Sequence, residues 1–184
     1  MTISRVERLT EADVAQLRGL DASFITDTVL KVDQDSAGFR LREEAVHPPY
    51  QKRYRLSADL QVGAQPPWGQ LFVARRKGAI VAVAATTHLG WNGRQRLDEL
   101  HVAPAHRGSG LGGALVGQVH EEAVQNQARE IWVETQHVNL PAIRAYRRLG
   151  FRVTGVDVSR YASRHDGEVA VFLSRDVDAR SGTS

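Results

Sequence analysis

The sequence predicts an α/β chain of the α+β kind, with antiparallel strands first and strand–helix units after them. Three observations carry that prediction. A glycine-rich turn, Arg107-Gly108-Ser109-Gly110-Leu111-Gly112-Gly113, follows the apolar segment Leu97–Val102 and opens a helix that runs to about Gln127. Leu71–Ala74, Lys77-Gly78 and Ala79–Ala85 read as a hairpin, and Asn92-Gly93, a type I′ turn signal, joins its second strand to Leu97–Val102. After the turn, Leu111, Leu115, Val119 and Ala123 recur at steps of four, the stripe of a helix that packs on a sheet.

The remaining elements follow in order. Ile3, Val6 and Leu9 suggest a first strand, and Thr10 caps a helix over Glu11–Leu20 with Asp13 placed for the reciprocal capping bond. Asp21–Asp27 reads as a loop or short second helix. Phe39–Val46 has strand character and ends at His47-Pro48-Pro49-Tyr50, because proline cannot donate to a ladder. Ser57–Gly69, with Pro66-Pro67-Trp68, is a surface loop. Ile131–Thr135 is a strand, and Leu140–Leu149 a helix entered through Asn139 with Pro141 in its first turn. Phe151–Val158 and Val169–Leu173 are closing strands. One domain over 1–175 is expected, with 176–184 a polar, frayed tail.

The glycine turn carries the chemistry. Between strand and helix it leaves several N–H groups without intrahelical partners, and the helix dipole adds positive character at that end. Glycines let a ligand approach the backbone, so the turn suits a phosphorylated cofactor. Gly108-x-Gly110-x-x-Gly113 also matches a dinucleotide fingerprint, with Glu134 near the offset of a ribose-binding acid. Its context argues against that reading. The turn lies past mid-chain after antiparallel strands, and about seventy residues follow it, too few for a doubly wound sheet.

Composition narrows the classes further. With 184 residues, 42% of them hydrophobic, the chain can bury a single core. The net charge of +3 comes without a basic run bearing interleaved aromatics or zinc-finger spacing, so no nucleic-acid partner is expected. The absence of cysteine removes disulfides, thiolate nucleophiles and Cys-ligated metals. His120-Glu121 begins like a zinc-protease motif, but Val124 stands where the second ligand belongs, and no metal is expected. No stretch reads as a signal peptide or membrane span, so no membrane partner and a cytoplasmic location are expected. A homodimer is left open, since nothing in the sequence fixes the oligomeric state.

Arg107-x-x-Gly110-x-Gly112, preceded by Val102-Ala103-Pro104 and followed by Asn139 and Tyr146-Arg147-Arg148-Leu149-Gly150-Phe151, resembles the GNAT superfamily of acetyl-CoA-dependent N-acyltransferases. The resemblance implies a GNAT fold, a mixed and mostly antiparallel central sheet flanked by helices. It also implies acetyl-CoA as cofactor, with pyrophosphate on the amides of Arg107, Gly108, Ser109, Gly110, Leu111, Gly112 and Gly113. Backbone groups near His101 and Val102 would face the thioester, and Asn139 would contact pantetheine. Asn139 before Pro141 equally reads as a plain helix N-cap.

Transfer to an amine requires a base and an acid. Glu99, on the strand leading to the turn, is the first candidate base, with an ion pair to Arg94 or Arg96 as the alternative reading. Asp98 would point to the opposite face of a regular strand. Glu134 is the competing acid. The resemblance assigns Tyr146 the proton for the leaving thiolate, whereas the residue alone also reads as a helix tyrosine capping the core.

Leu20–Val29, Phe39–Glu43 with Pro48-Pro49, Gly90-Trp91-Asn92 and Val156-Asp157 with Tyr161 resemble the streptothricin (nourseothricin) acetyltransferases. That resemblance implies a small-molecule amine of a cationic antibiotic as substrate. Asp21, Asp27, Trp91, Glu134, Asp157 and Tyr161 become candidate contacts, since a polyamine calls for carboxylates and aromatic edges. One departure is that Gln51–Gly69 carries Lys52, Arg53 and Arg55 and only Asp59 as acid, where many members carry an acidic insert. A protein or peptide acceptor, and a non-catalytic acyl-CoA-binding module, remain the alternatives.

Overall fold

The computed structural model describes residues 6–10, 13–17, 19–54, 69–161 and 167–177. Its strands and α-helices in chain order are β1 (Val6–Arg8), α1 (Val14–Leu17), β2 (Ala22–Asp35), β3 (Gly38–Tyr54), β4 (Gln70–Arg76), β5 (Ala79–Leu89), β6 (Arg94–Val102), α2 (Leu111–Gln125), β7 (Glu130–Gln136), α3 (Leu140–Arg148), β8 (Arg152–Asp157) and β9 (Ala170–Asp176). They form two compact units. One lies within Met1–Ser23, Arg53–Trp132 and Asp176–Ser184, the other within Phe24–Lys52 and Val133–Arg175.

In the first unit β1, β4, β5 and β6 are successive antiparallel neighbours. The hairpin β4–β5 turns through Lys77 (φ 50°) and Gly78 (φ 81°) with Arg76 opposite Ala79, so the left-handed pair of a type I′ turn sits here. Asn92-Gly93 does not form one. Gly90–Asn92 is a 3-10 turn and Gly93 alone is left-handed (φ 64°), so the β5–β6 link is longer than the two residues expected. Asp13 makes the predicted return bond, its Oδ2 accepting the Thr10 N–H at 3.0 Å, but the Thr10 hydroxyl does not cap the helix: it donates to the same carboxylate at 2.8 Å, and the Asp13 N–H goes to the Thr10 backbone carbonyl instead. The helix they start is described only over Val14–Leu17, shorter than the expected Glu11–Leu20. Leu17, Val73, Ile80 and Val83 form a buried cluster, and α2 buries Leu111, Leu115, Val116, Val119 and Ala123, the predicted stripe.

In the second unit β2 and β3 pair as a two-stranded ribbon, and β8 pairs antiparallel with β9. Two expectations fail here. Asp21–Asp27 is neither loop nor helix; β2 starts at Ala22, and Ala22, Phe24 and Thr26 are buried in strict alternation with more exposed neighbours. β3 does not end at the prolines but runs on to Tyr54, with a cis His47–Pro48 bond. Each strand of a two-stranded ribbon has one free edge, and successive residues point to opposite edges, so only one of Pro48 and Pro49 withholds a donor from the ladder. The predicted loop Ser57–Gly69 falls, except for Gly69, outside the described residues, as do Ile3 and the tail beyond Val177.

Candidate active site

β6 ends at Val102, and a short 3-10 turn, Pro104–His106, leads into the glycines. Gly108 and Gly110 have φ of 75° and 84°, left-handed values that disfavour any side chain, and a Cβ on either would point into open space. Gly110 caps α2 without a side-chain hydrogen bond. The Ser109 hydroxyl turns back to the His106 carbonyl at 2.6 Å and leaves the helix amides alone. The first turn of α2, Leu111, Gly112 and Gly113 included, therefore presents N–H groups beside exposed, unfilled space, which fits a pyrophosphate. The Arg107 side chain works elsewhere: its Nε donates to the Val102 carbonyl at 3.0 Å and a terminal nitrogen to the Ser23 carbonyl.

The register of β6 against β5 slips once. Ala85 faces Glu99 and Thr86 faces Leu97, so Asp98 is the extra residue of a bulge and the regular alternation assumed for it does not hold. Its side chain is buried, accepting from Thr87 Oγ1 at 2.7 Å and from Arg96, and burial pushes its carboxyl above the ordinary aspartate value. Glu99 pairs with neither Arg94 nor Arg96. Arg94 is bonded to Glu130 at 2.7 Å and Arg96 to Asp98, while Glu99 Oε2 lies 2.6 Å from His101 Nε2. The ring of Tyr54 rests 5.8 Å from that imidazole. His101 thus enters through its side chain, where the sequence pointed only to its backbone. Two-residue spacing on a strand puts both side chains on one face and is the signal that would have found the pair.

Of the other predicted residues of this unit, Asp21 lies near the turn, within electrostatic reach of Arg107. The Ser23 hydroxyl and, next, the Ser23 N–H at 2.9 Å donate to Asp21 and lower its carboxyl below the ordinary value. Trp91, 85% exposed, stands on the 3-10 turn.

In the second unit Glu134 has both oxygens occupied. Oε1 accepts from Tyr161 at 2.6 Å and from Arg160 Nε at 3.2 Å, and Oε2 lies 3.1 Å from the same guanidinium. Burial and that bond push the Tyr161 phenol well above its usual value. Arg160 escaped the sequence reading, although it adjoins Tyr161. Asp157 accepts from the Ser159 N–H and hydroxyl at 2.8 and 2.7 Å, and Asp27 from Thr28 at 2.9 Å. Tyr146 is buried on α3 with its ring 5.5 Å from Phe151. Asn139 does serve as the N-cap, its side chain accepting the Ala142 N–H at 3.2 Å. A further cluster went unforeseen: Lys52 Nζ lies 2.5 and 2.6 Å from the two oxygens of Glu168, and Tyr50 donates to the same carboxylate at 2.8 Å. Burial and that contact push the Tyr50 phenol up to about 12.

Among the described residues no three His, Cys, Asp or Glu side chains are placed to hold a metal. None of their helices is long and apolar enough to cross a membrane.

An exposed anion cradle where an antiparallel strand turns into an uncapped helix, with a carboxylate on that same strand, is an arrangement for acyl transfer from a phosphorylated carrier. The chain belongs to the acetyltransferase (GNAT) family, whose model matches residues 34–151. It is accordingly an N-acetyltransferase that takes its acetyl group from acetyl-CoA. It is 37% identical over 168 residues to a streptothricin acetyltransferase of Streptomyces lavendulae, covering 88% of this chain and 89% of that one. To a streptothricin acetyltransferase of Escherichia coli it is 28% identical, over 82% and 83% of the two chains. A crystal structure of a nourseothricin acetyltransferase superposes with a TM-score of 0.86 at 36% identity, covering 96% of this chain and all of that one. A Bacillus anthracis structure solved with acetyl coenzyme A shares the fold, with a TM-score of 0.80 at 22% identity over 95% and 99% of the chains.

Proposed function

We propose that this enzyme acetylates a primary amine on a small cationic molecule of the streptothricin type, by direct transfer within a ternary complex. The observation that carries the reading is 37% identity across almost the whole chain to a relative named for that reaction. One catalytic domain over 1–175 belongs to the proposal, since the family match at 34–151 runs through both units. A cytoplasmic location, where acetyl-CoA is made, belongs to it as well.

Acetyl-CoA supplies an activated thioester. The amides of Arg107–Gly113 hold its pyrophosphate, and the backbone at His101 and Val102 lies toward the thioester. An alkylamine with a pKa of about 10.4 arrives as ammonium, so one proton must leave before nitrogen can attack. Glu99 takes it. Its Oε1 has no partner among the described residues, whereas Glu134 is spent on Tyr161 and Arg160. Tyr146 gives its phenolic proton to the departing thiolate, and Asn139 contacts pantetheine while capping α3. Asp21, Asp27, Trp91, Asp157 and Tyr161, with Glu134 held behind the Tyr161 hydroxyl, are the acceptor side. The homodimer stays a separate question for sedimentation.

The basic segment Lys52, Arg53, Arg55 favours a second reading, a peptide amine, over a polycation. Glu168 neutralises Lys52 and weakens that objection. The test is acetyl-CoA-dependent thiol release with streptothricin against a lysine peptide. Saturable turnover of streptothricin alone is expected; turnover of the peptide alone overturns the proposal. Tyr146→Phe should lower kcat by about tenfold or more and leave acetyl-CoA affinity unchanged.

A further inference from the structure

β6 carries two adjacent carboxylates, Asp98 and Glu99, which cannot both be ionised without mutual repulsion. Their surroundings separate them. Asp98 is sunk in the bulge with its side chain 4% exposed, and burial together with the Glu99 charge raises its carboxyl. Glu99 is more open, 23% exposed at the side chain, and its one contact with a described residue is the His101 imidazole. An ionised carboxylate only accepts, so the 2.6 Å contact places a hydrogen on His101 Nε2. The imidazole is itself held: its side chain is 13% exposed, and the Tyr54 ring lies against it at a tilt of 49°.

We propose that His101 is a positioning residue for the transfer reaction: its Nε2–H fixes Glu99 Oε2, so that Oε1 alone faces the acceptor ammonium. This rests on the role given to Glu99 above. The proton moves from the ammonium nitrogen to Oε1 and the freed lone pair attacks the thioester carbonyl. The C–S bond then breaks, the thiolate leaves with the Tyr146 proton, the second proton lost by the nitrogen restores the Tyr146 phenol, and Glu99 releases its proton to water. The His101 side chain touches neither reactant. The bond fixes the direction of the Glu99 carboxylate, which matters for a group that must reach one place on a bound substrate.

The test is a double-mutant cycle on kcat with Glu99→Gln, His101→Ala, His101→Gln and the double variant Glu99→Gln/His101→Ala. His101→Ala should lower kcat by about tenfold or more, the worth of a hydrogen bond to a charged group, with the acetyl-CoA Kd unchanged. His101→Gln, which still offers an N–H, should recover most of that loss. The double variant should be no slower than Glu99→Gln alone. Multiplicative losses, or wild-type kcat in His101→Ala, overturn the proposal. Imidazole 15N spectra of the protein give a readout that needs no acceptor: the Nε2–H form in wild type, released in Glu99→Gln. An Nδ1–H form in wild type overturns the proposal. A held Nε2–H form supports it even if streptothricin is not acetylated, an outcome that would overturn only the choice of acceptor.

Discussion

Glu99 and Glu134 are both strand glutamates two or three residues from the end of their strands, and they stand in opposite conditions. Glu99 is bonded at one oxygen by a single imidazole. Glu134 receives a phenol and two nitrogens of a guanidinium on its two oxygens. The same contrast runs through their surroundings. Near Glu99 the start of α2 has uncapped amides and glycines that face open space. In the unit of Glu134, Lys52, Tyr50 and Glu168 satisfy one another, and Arg144 pairs with Glu43. Polar groups left with valence to spare can take part in chemistry, whereas groups that complete each other spend theirs on holding strands and helices in place.

The sharpest way to break this contrast is at the turn. Gly110→Val forces a β-branched residue to φ 84° and puts methyl groups over the helix amides. It should abolish measurable acetyl-CoA binding by calorimetry, and tight binding by that variant would remove the turn from the cofactor site. Next comes the direct comparison. Glu99→Gln should cut kcat by about 100-fold or more, the usual scale of a lost general base, and Glu134→Gln by less than about tenfold. Equal losses would erase the distinction, and the reverse order would exchange the two roles.

A closed network should answer in stability instead. Lys52→Met removes the ammonium that contacts both oxygens of the buried Glu168 carboxylate and should cost about 3 kcal/mol in denaturant unfolding. A midpoint like wild type would mean the pair is not closed at all. The smallest effect belongs to Asp13, whose carboxyl is lowered first by the Thr10 N–H and then by Arg75. A lowered folded-state value means that its stabilisation is present above the unfolded pKa of about 3.9 and fades as pH falls through the folded value. Asp13→Asn should lose about 1 kcal/mol at neutral pH and show less of this acid-side decline in urea titrations at pH 2–6.

Local signals were legible where backbone preference and burial agree. The helix after the glycines buries its predicted stripe, the Asp13 carboxylate reaches back to the Thr10 N–H as a three-residue spacing allows, and Asn139 with Pro141 starts α3. Ala22, Phe24 and Thr26 are buried in alternation as a strand should be, yet an exposed apolar Ile25 and a buried polar Thr26 hide that period in the sequence. Pro48 and Pro49 argued for an end to β3 because proline breaks a ladder; an edge position, which no short window reveals, removes the objection for one of the two. The sites divide the same way. Glycine positions were readable because a backbone cradle needs a particular residue type, while carboxylate partners were not, since charge alone does not say which arginine lies nearest.

The sequence by itself determined most of the order of the elements, the glycine turn between strand and helix and the acyl-transfer family, because glycine geometry, helical period and cap chemistry are properties of neighbours along the chain. Only the tertiary structure decided that Asp98 sits in a bulge, that Glu99 belongs to His101 and that Glu134 is closed off by Tyr161 and Arg160. Register between strands and the pairing of distant charges depend on which segments meet in space. A one-residue slip between β5 and β6 is enough to change what every side chain beyond it faces.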